Sequence, residues 1–169
     1  GELACSDEGA VGVSVVLGRV RRRGGLIYLS GSGSDEIISD YARDGRKIYP
    51  HSCFNGRWPA DLAPIFPWCS FYGGSQRAFL MKEELVSGAH GIEGRYPFLD
   101  RKVVQEFLWL KPELKNAEYK KPVADFLRAH RVPTAWGRKI GFTAGRDTDA
   151  TALAAGAARE PLLHGEVLT

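Results

Sequence analysis

The sequence predicts an α/β domain that becomes helix-rich in its second half, and three observations carry that expectation. A helical segment opens at Ser6-Asp7-Glu8 and closes at Arg21-Arg22-Arg23, with Gly24-Gly25 beyond it. A short apolar run, Leu26 to Leu29, then ends in the loop Ser30-Gly31-Ser32-Gly33-Ser34, and Asp35-Glu36 stand where another helix should begin. Further on, residues 75–88, 100–108 and 122–130 carry apolar side chains at helical spacing. A helix, strand, helix order implies a sheet covered by helices.

Each element has its own signals. In the first, Ser6 and Asp7 offer capping oxygens, Glu8 suits the positive end of the helix dipole, and basic residues followed by glycine close it. Its apolar residues are Val11, Val15, Val16 and Val20. Valine is a poor helix former, so a strand across Val11 to Leu17 stays open. Leu26 to Leu29 reads as a buried strand and Asp35 to Ala42 as a helix. Tyr49 to Gly74 is dense in proline, glycine and aromatic residues, which predicts irregular packing with one short helical turn and aromatics filling the core. Ser75 to Gly88 follows as a helix, with Ser75 as a cap and Phe79, Leu80 and Leu85 as its apolar positions. Asp100 caps the next helix, Pro97 disfavours an earlier start, and Val103, Val104, Phe107 and Leu108 give it a core face. Pro122 fits the first turn of a last helix with Val123, Phe126 and Leu127 inward. Residues 1–145 form the expected domain, and the Ala- and Thr-rich residues 146–169 an expected disordered tail.

The whole-chain numbers bound the function. The 169 residues suffice for one domain with a core, at 44% apolar and 25% charged. A net charge of +3 is too small to argue for nucleic acid. The basic runs, Arg19 with Arg21 to Arg23 and Arg43 with Arg46 and Lys47, read as solvated faces. Cys5, Cys53 and Cys69 lack metal-ligand spacing and read as free thiols in a reducing, cytoplasmic compartment. No secretory signal or membrane-spanning run is visible, so no membrane partner is expected.

The loop after Leu29 has a chemical reading. Glycines let backbone approach a ligand, a helix start offers N–H groups to an anion, and Asp35 is a hard oxygen ligand for the Mg²⁺ that travels with phosphate. The structural alternative is a strand-to-helix turn with ordinary first-turn acids. This segment leaves both open.

A second segment adds to the first. His90-Gly91-Ile92-Glu93-Gly94-Arg95-Tyr96-Pro97-Phe98-Leu99-Asp100 resembles the H-G-[LI]-E-x-R-x-P-F-L-D signature of the asparagine synthetase family. Leu29 to Glu36 resembles that family's L-S-G-x-G-S-D-E element, and Gly137-Arg138-Lys139-Ile140-Gly141-Phe142 is similar to its K-x-G-F stretch. The three occur in the family's order, and the resemblance runs from about Asp7 to about Gly145.

The resemblance implies a synthetase domain of the adenine-nucleotide α-hydrolase type, the PP-loop ATP pyrophosphatases. It implies ATP and Mg²⁺ as cofactors. A carboxylate, aspartate or a related acid, would be activated as an acyl-adenylate and attacked by ammonia from glutamine. By the same resemblance Asp35 binds Mg²⁺, and Ser30, Gly31, Gly33, Ser34 and Arg138 contact nucleotide. Lys139 lies near the reacting phosphate, and Glu84 orients the nucleophile or receives a proton, unless it is one more exposed helix acid beside Glu83. Glu93 and Arg95 either pair structurally or face substrate, with structural support favoured. His90 reads as a hydrogen-bonded core residue.

Two departures qualify the resemblance. The family's S-G-G-x-D-S loop and glutaminase domain are absent from this sequence, which begins at Gly1; it reads as the second part of a longer protein, with those segments expected in cis. Asparagine synthetases carry Glu where this chain has Ser32, and a serine without a partner base does not readily accept a proton. A ligase for another carboxylate, or a non-catalytic synthetase-like interaction module, are the alternatives.

Overall fold

The computed structural model describes residues 7–133. Arg138, Lys139 and the 146–169 segment lie outside the described residues. Within them the chain is mixed α/β and helix-rich in its second half.

Helix α1 (Glu8–Arg22) settles the choice left open for its valines. Asp7 caps it, accepting from the Ala10 N–H at 3.1 Å. Ala10 and Leu17, two turns apart, are buried against Val86 and Ile92, whereas Val11, Val15 and Val16 are exposed. An ion pair of 3.0 Å from Asp7 to Lys82 ties α1 to helix α4 (Gly74–Ala89).

Strand β1 (Ile27–Leu29) pairs in parallel with β4 (Glu93–Arg95), placing Tyr28 opposite Gly94. The expected buried strand is corrected here: Leu26 and Leu29 are 58% and 72% exposed. Among the described residues this sheet has two strands, and only the Tyr28 side packs on the small core of α1 and α4.

The helix expected to reach Ala42 is also shorter. Helix α2 covers Ser34–Ile37, and Asp40 and Tyr41 turn left-handed at φ 49° and 55°. The cause is tertiary. The fully buried Asp40 carboxylate accepts from the Ser52 hydroxyl (3.1 Å) and from the N–H groups of Cys53 (3.0 Å), Phe54 (2.8 Å) and Gly56 (3.3 Å). Holding this loop takes the chain out of the helix before the short antiparallel pair β2 (Ala42–Arg43) and β3 (Arg46–Lys47).

The aromatic segment builds the main core as expected. Trp58 and Trp68 are buried with Ile37, Ile38 and Phe107, and meet edge to face at 5.2 Å between ring centres. Phe66 and Tyr72 remain exposed. Two of the three thiols expected to be free are not: Cys53 and Cys69 form a disulfide, joining the loop held by Asp40 to helix α3 (Cys69–Tyr72), while Cys5 lies outside the described residues. Their spacing of 16 residues carries no local pairing signal.

Ser75 does not cap α4; the cap position is Gly73, and Ser75 lies within the helix. The buried side chains of α4 are Gln76, Val86 and Ser87, while Leu85 is exposed. After a 3₁₀ turn (Pro97–Leu99), Asp100 caps α5 (Arg101–Trp109) through the Lys102 N–H at 2.8 Å, as expected. Phe107 is the buried residue of α5, and Val103 is exposed. Helices α6 (Pro112–Asn116) and α7 (Lys121–Ala129) complete the described chain. In α7 Ala124 is buried, whereas Phe126 points outward and stacks beside His130. Among the described residues no helix is long and apolar enough to cross a membrane.

Candidate functional site

The serine–glycine loop between β1 and α2 is held from three sides. Behind it, Gly33 sits at φ 98°, and a Cβ there would lie 2.4 Å from Leu99 Cδ2. Only glycine combines that left-handed backbone with that contact. Within the loop, the Ser32 N–H donates to Ser30 Oγ at 3.0 Å, and the Gly33 N–H donates to Glu36 Oε2 at 2.9 Å. The other oxygen of buried Glu36 accepts from the Tyr41 hydroxyl. Burial, with the hydrogen bond to Glu36, pushes the Tyr41 phenol well above its ordinary range. Gly31 is exposed, with open space where a side chain would be.

On one side of the loop the Ser32 hydroxyl donates to Glu83 Oε1 at 2.5 Å. The Tyr28 hydroxyl donates to the other oxygen, Oε2, at 2.7 Å. Glu83 therefore joins strand β1, the loop and helix α4. Burial, then the Glu83 hydrogen bond and charge, pushes Tyr28 up to about 12. Glu84 accepts instead from Tyr96 at 2.7 Å. Burial and that hydrogen bond raise the Tyr96 phenol strongly. Gly94 makes room for this cluster: a Cβ there would lie 2.9 Å from the Tyr96 hydroxyl and 3.2 Å from Tyr28 Cε1.

Asp35 belongs to another set of partners. Its Oδ1 pairs with Lys120 at 2.7 Å and accepts from Tyr119 at 3.1 Å. Lys120 is held in the left-handed region at φ 51°, at the start of α7. Beside this pair a polar cavity of about 210 Å³ is lined by Ser39, Arg57, Asn116 and Tyr119 among others. Asn116 fixes Trp58 by accepting from its N–H at 2.9 Å and donating to its carbonyl at 2.8 Å. Buried Lys115 donates to the Leu108 carbonyl at 2.8 Å, and burial lowers its amine.

Of the sequence-predicted residues, Ser30, Gly31, Ser32 and Gly33 thus form one loop and Ser34 and Asp35 open helix α2 directly after it, but Ser32 and Asp35 face different partners. Glu84 contacts Tyr96, and the acid that reaches Ser32 is its neighbour Glu83, which sequence reasoning treated as an exposed helix acid. Glu93 and Arg95 form an ion pair on β4 with both side chains more than half exposed. His90 Nε2 lies 2.8 Å from Ser14 Oγ, so it is hydrogen-bonded as expected, though half-buried rather than in the core. Among the described residues no group of three or more His, Cys, Asp or Glu could hold a metal ion. A single carboxylate still fits Mg²⁺, which commonly takes one or two protein carboxylates and completes its shell with phosphate and water.

Searches of curated proteins and of solved structures returned no match. A family model described as asparagine synthase matches residues 69–164, more than half of the chain, and spans both the His90–Asp100 signature and the Lys139 stretch. Family membership supports an amide-ligase or synthetase type of activity; the chain belongs to the asparagine synthase family.

Proposed function

We propose that this chain is the later part of the synthetase domain of an ATP-dependent amide-forming ligase. One observation carries the reading: the 2.5 Å hydrogen bond from Ser32 to Glu83. The family's loop carboxylate is missing at position 32, and helix α4 supplies a carboxylate to the same place. An amine attacking an acyl-adenylate must lose a proton. Ser32 Oγ can accept it while passing its own proton to Glu83, so the pair does the work of the absent loop glutamate.

The other residues take roles that fit their chemistry. Asp35 would hold Mg²⁺, which when bound neutralises phosphate charge. Lys120, already at Asp35, is placed to turn its ammonium toward phosphate oxygens. Lys139 and Arg138 add cations where pyrophosphate leaves, and electrostatic stabilisation is the main demand of that step. Gly33 and Leu99 hold the loop rigidly. The acyl substrate is aspartate or another small carboxylate, the nitrogen comes from ammonia released from glutamine, and the setting is cytoplasmic. The PP-loop and glutaminase segments are supplied by the complete protein.

A second reading is favoured by the loop itself. The Ser32 and Gly33 N–H groups, which would cradle phosphate, already donate to Ser30 in the loop and to Glu36 of α2. A non-catalytic relative would keep the fold in this way. Incubating the complete protein with ATP, Mg²⁺, ammonium and a panel of small carboxylates separates the two. The ligase reading expects AMP and an amide with one acid, detected by mass spectrometry. No AMP with any acid would favour the non-catalytic reading.

A further inference from the structure

We propose that Cys53 and Cys69 form a reversible thiol–disulfide site that controls the order of the turn bearing Asp35. Both cysteines are exposed, so a reductant can reach their sulfurs. In a reducing compartment an accessible disulfide of this kind is a redox-sensing one rather than a permanent staple.

Each cysteine sits next to an anchor of the same short segment. The Cys53 N–H donates to Asp40 Oδ1 at 3.0 Å, and its neighbours Ser52 and Phe54 donate to the same carboxylate. Beside Cys69, the Trp68 indole N–H donates to the Glu36 carbonyl at 2.7 Å. Glu36 and Asp40 flank the end of α2, one and five positions beyond Asp35. The bond between the cysteines closes the loop that carries both anchors. Opening it leaves each anchor to hold α2 separately, against the freed conformational entropy of the intervening residues.

The chemistry balances with a dithiol reductant. Its thiolate attacks one sulfur, the Cys53–Cys69 bond breaks, and the other cysteine leaves as a thiolate that takes a proton. The reductant's second thiolate then attacks the mixed disulfide and releases the remaining cysteine. Two electrons pass to the protein, and the reductant becomes a disulfide. The consequence for catalysis rests on the ligase reading; the test below does not.

The full chain is compared oxidised and after dithiothreitol, by alkylation and by amide hydrogen exchange. Peptides containing Cys53 and Cys69 should resist iodoacetamide before reduction and label after it. Reduction should speed exchange of residues 35–41 by about tenfold or more, with α1 unchanged as the internal control. A Cys53→Ser, Cys69→Ser chain should exchange like the reduced protein and ignore dithiothreitol; if it does not fold, reduction of the unmutated chain carries the test. Labelling of both cysteines without reductant would overturn the proposal. So would unchanged exchange at 35–41, or an equal acceleration in α1.

Discussion

Gly33 packs so closely on Leu99 that a methyl group in its place would lie 2.4 Å from Leu99 Cδ2 and 2.8 Å from Cγ. Two motifs distant in sequence, the serine–glycine loop and the Pro97-Phe98-Leu99 turn, are one structural unit at this contact. Gly33→Ala adds a clash and a left-handed backbone that alanine resists, costing roughly 2–4 kcal/mol. Thermal or urea unfolding should show it. Adding Leu99→Ala removes the clash but not the backbone strain, so the double variant should recover only part of the loss that two independent changes would give.

Asp40 should be among the least replaceable polar residues. Its buried carboxylate satisfies three backbone N–H groups and a serine hydroxyl. Asp40→Ala strands those donors and should cost roughly 3–5 kcal/mol. Asp40→Asn keeps one acceptor oxygen and should fall between the two in denaturant midpoint.

Tyr28 links the site to pH. Its folded value of about 12 lies above the ordinary 10.0, because burial and Glu83 disfavour the phenolate. A raised folded pKa means the contribution to stability is whole below pH 10.0 and is lost as pH rises toward about 12. Stability should therefore fall through that window, and the fall should be smaller in Tyr28→Phe. Tyrosinate absorbance should show Tyr28 moving back toward 10.0 in Glu83→Gln.

The link between α1 and α4 titrates at the acid end. Burial alone would raise the Asp7 carboxyl, but hydrogen bonds from Lys82 and Ala10 outweigh it and leave it below its ordinary value of 3.8. Its stabilisation is present above 3.8 and lost as pH falls below that. Asp7→Ala should cost about 1 kcal/mol near neutral pH, chiefly as a lost cap. Melting temperatures of both proteins should converge on acidification.

How much of this was legible in the sequence depended on the range of the cause. Asp7, Asp100 and Pro122 mark helix starts by local chemistry, and the structure puts helix starts there. The end of α2 was not legible, because Asp40 leaves the helix to hold residues that follow it by more than ten positions. The Cys53–Cys69 pairing likewise needed the fold. Exposed Leu29 and buried Gln76 show hydrophobicity giving way to tertiary placement. Glu83 did leave a signal: positions 76, 79, 83, 86 and 90 follow one helical stripe, along which Val86 and His90 meet α1, Glu83 meets Tyr28 of β1, and Phe79 meets Tyr41. Leu85 as a core position puts the helix in the wrong phase, since it is exposed, and Glu84 comes forward as the functional acid through the family resemblance rather than through helical phase.

The central claim is that Glu83, through Ser32, takes the proton released when the amide forms. The direct measurement is the rate of pyrophosphate release and of amide formation by the complete protein carrying Glu83→Gln. The account predicts that pyrophosphate release is retained while amide formation falls by roughly 100-fold or more, the share expected of a positioned base. Amide formation at the unmutated rate, with the variant folded, would contradict it.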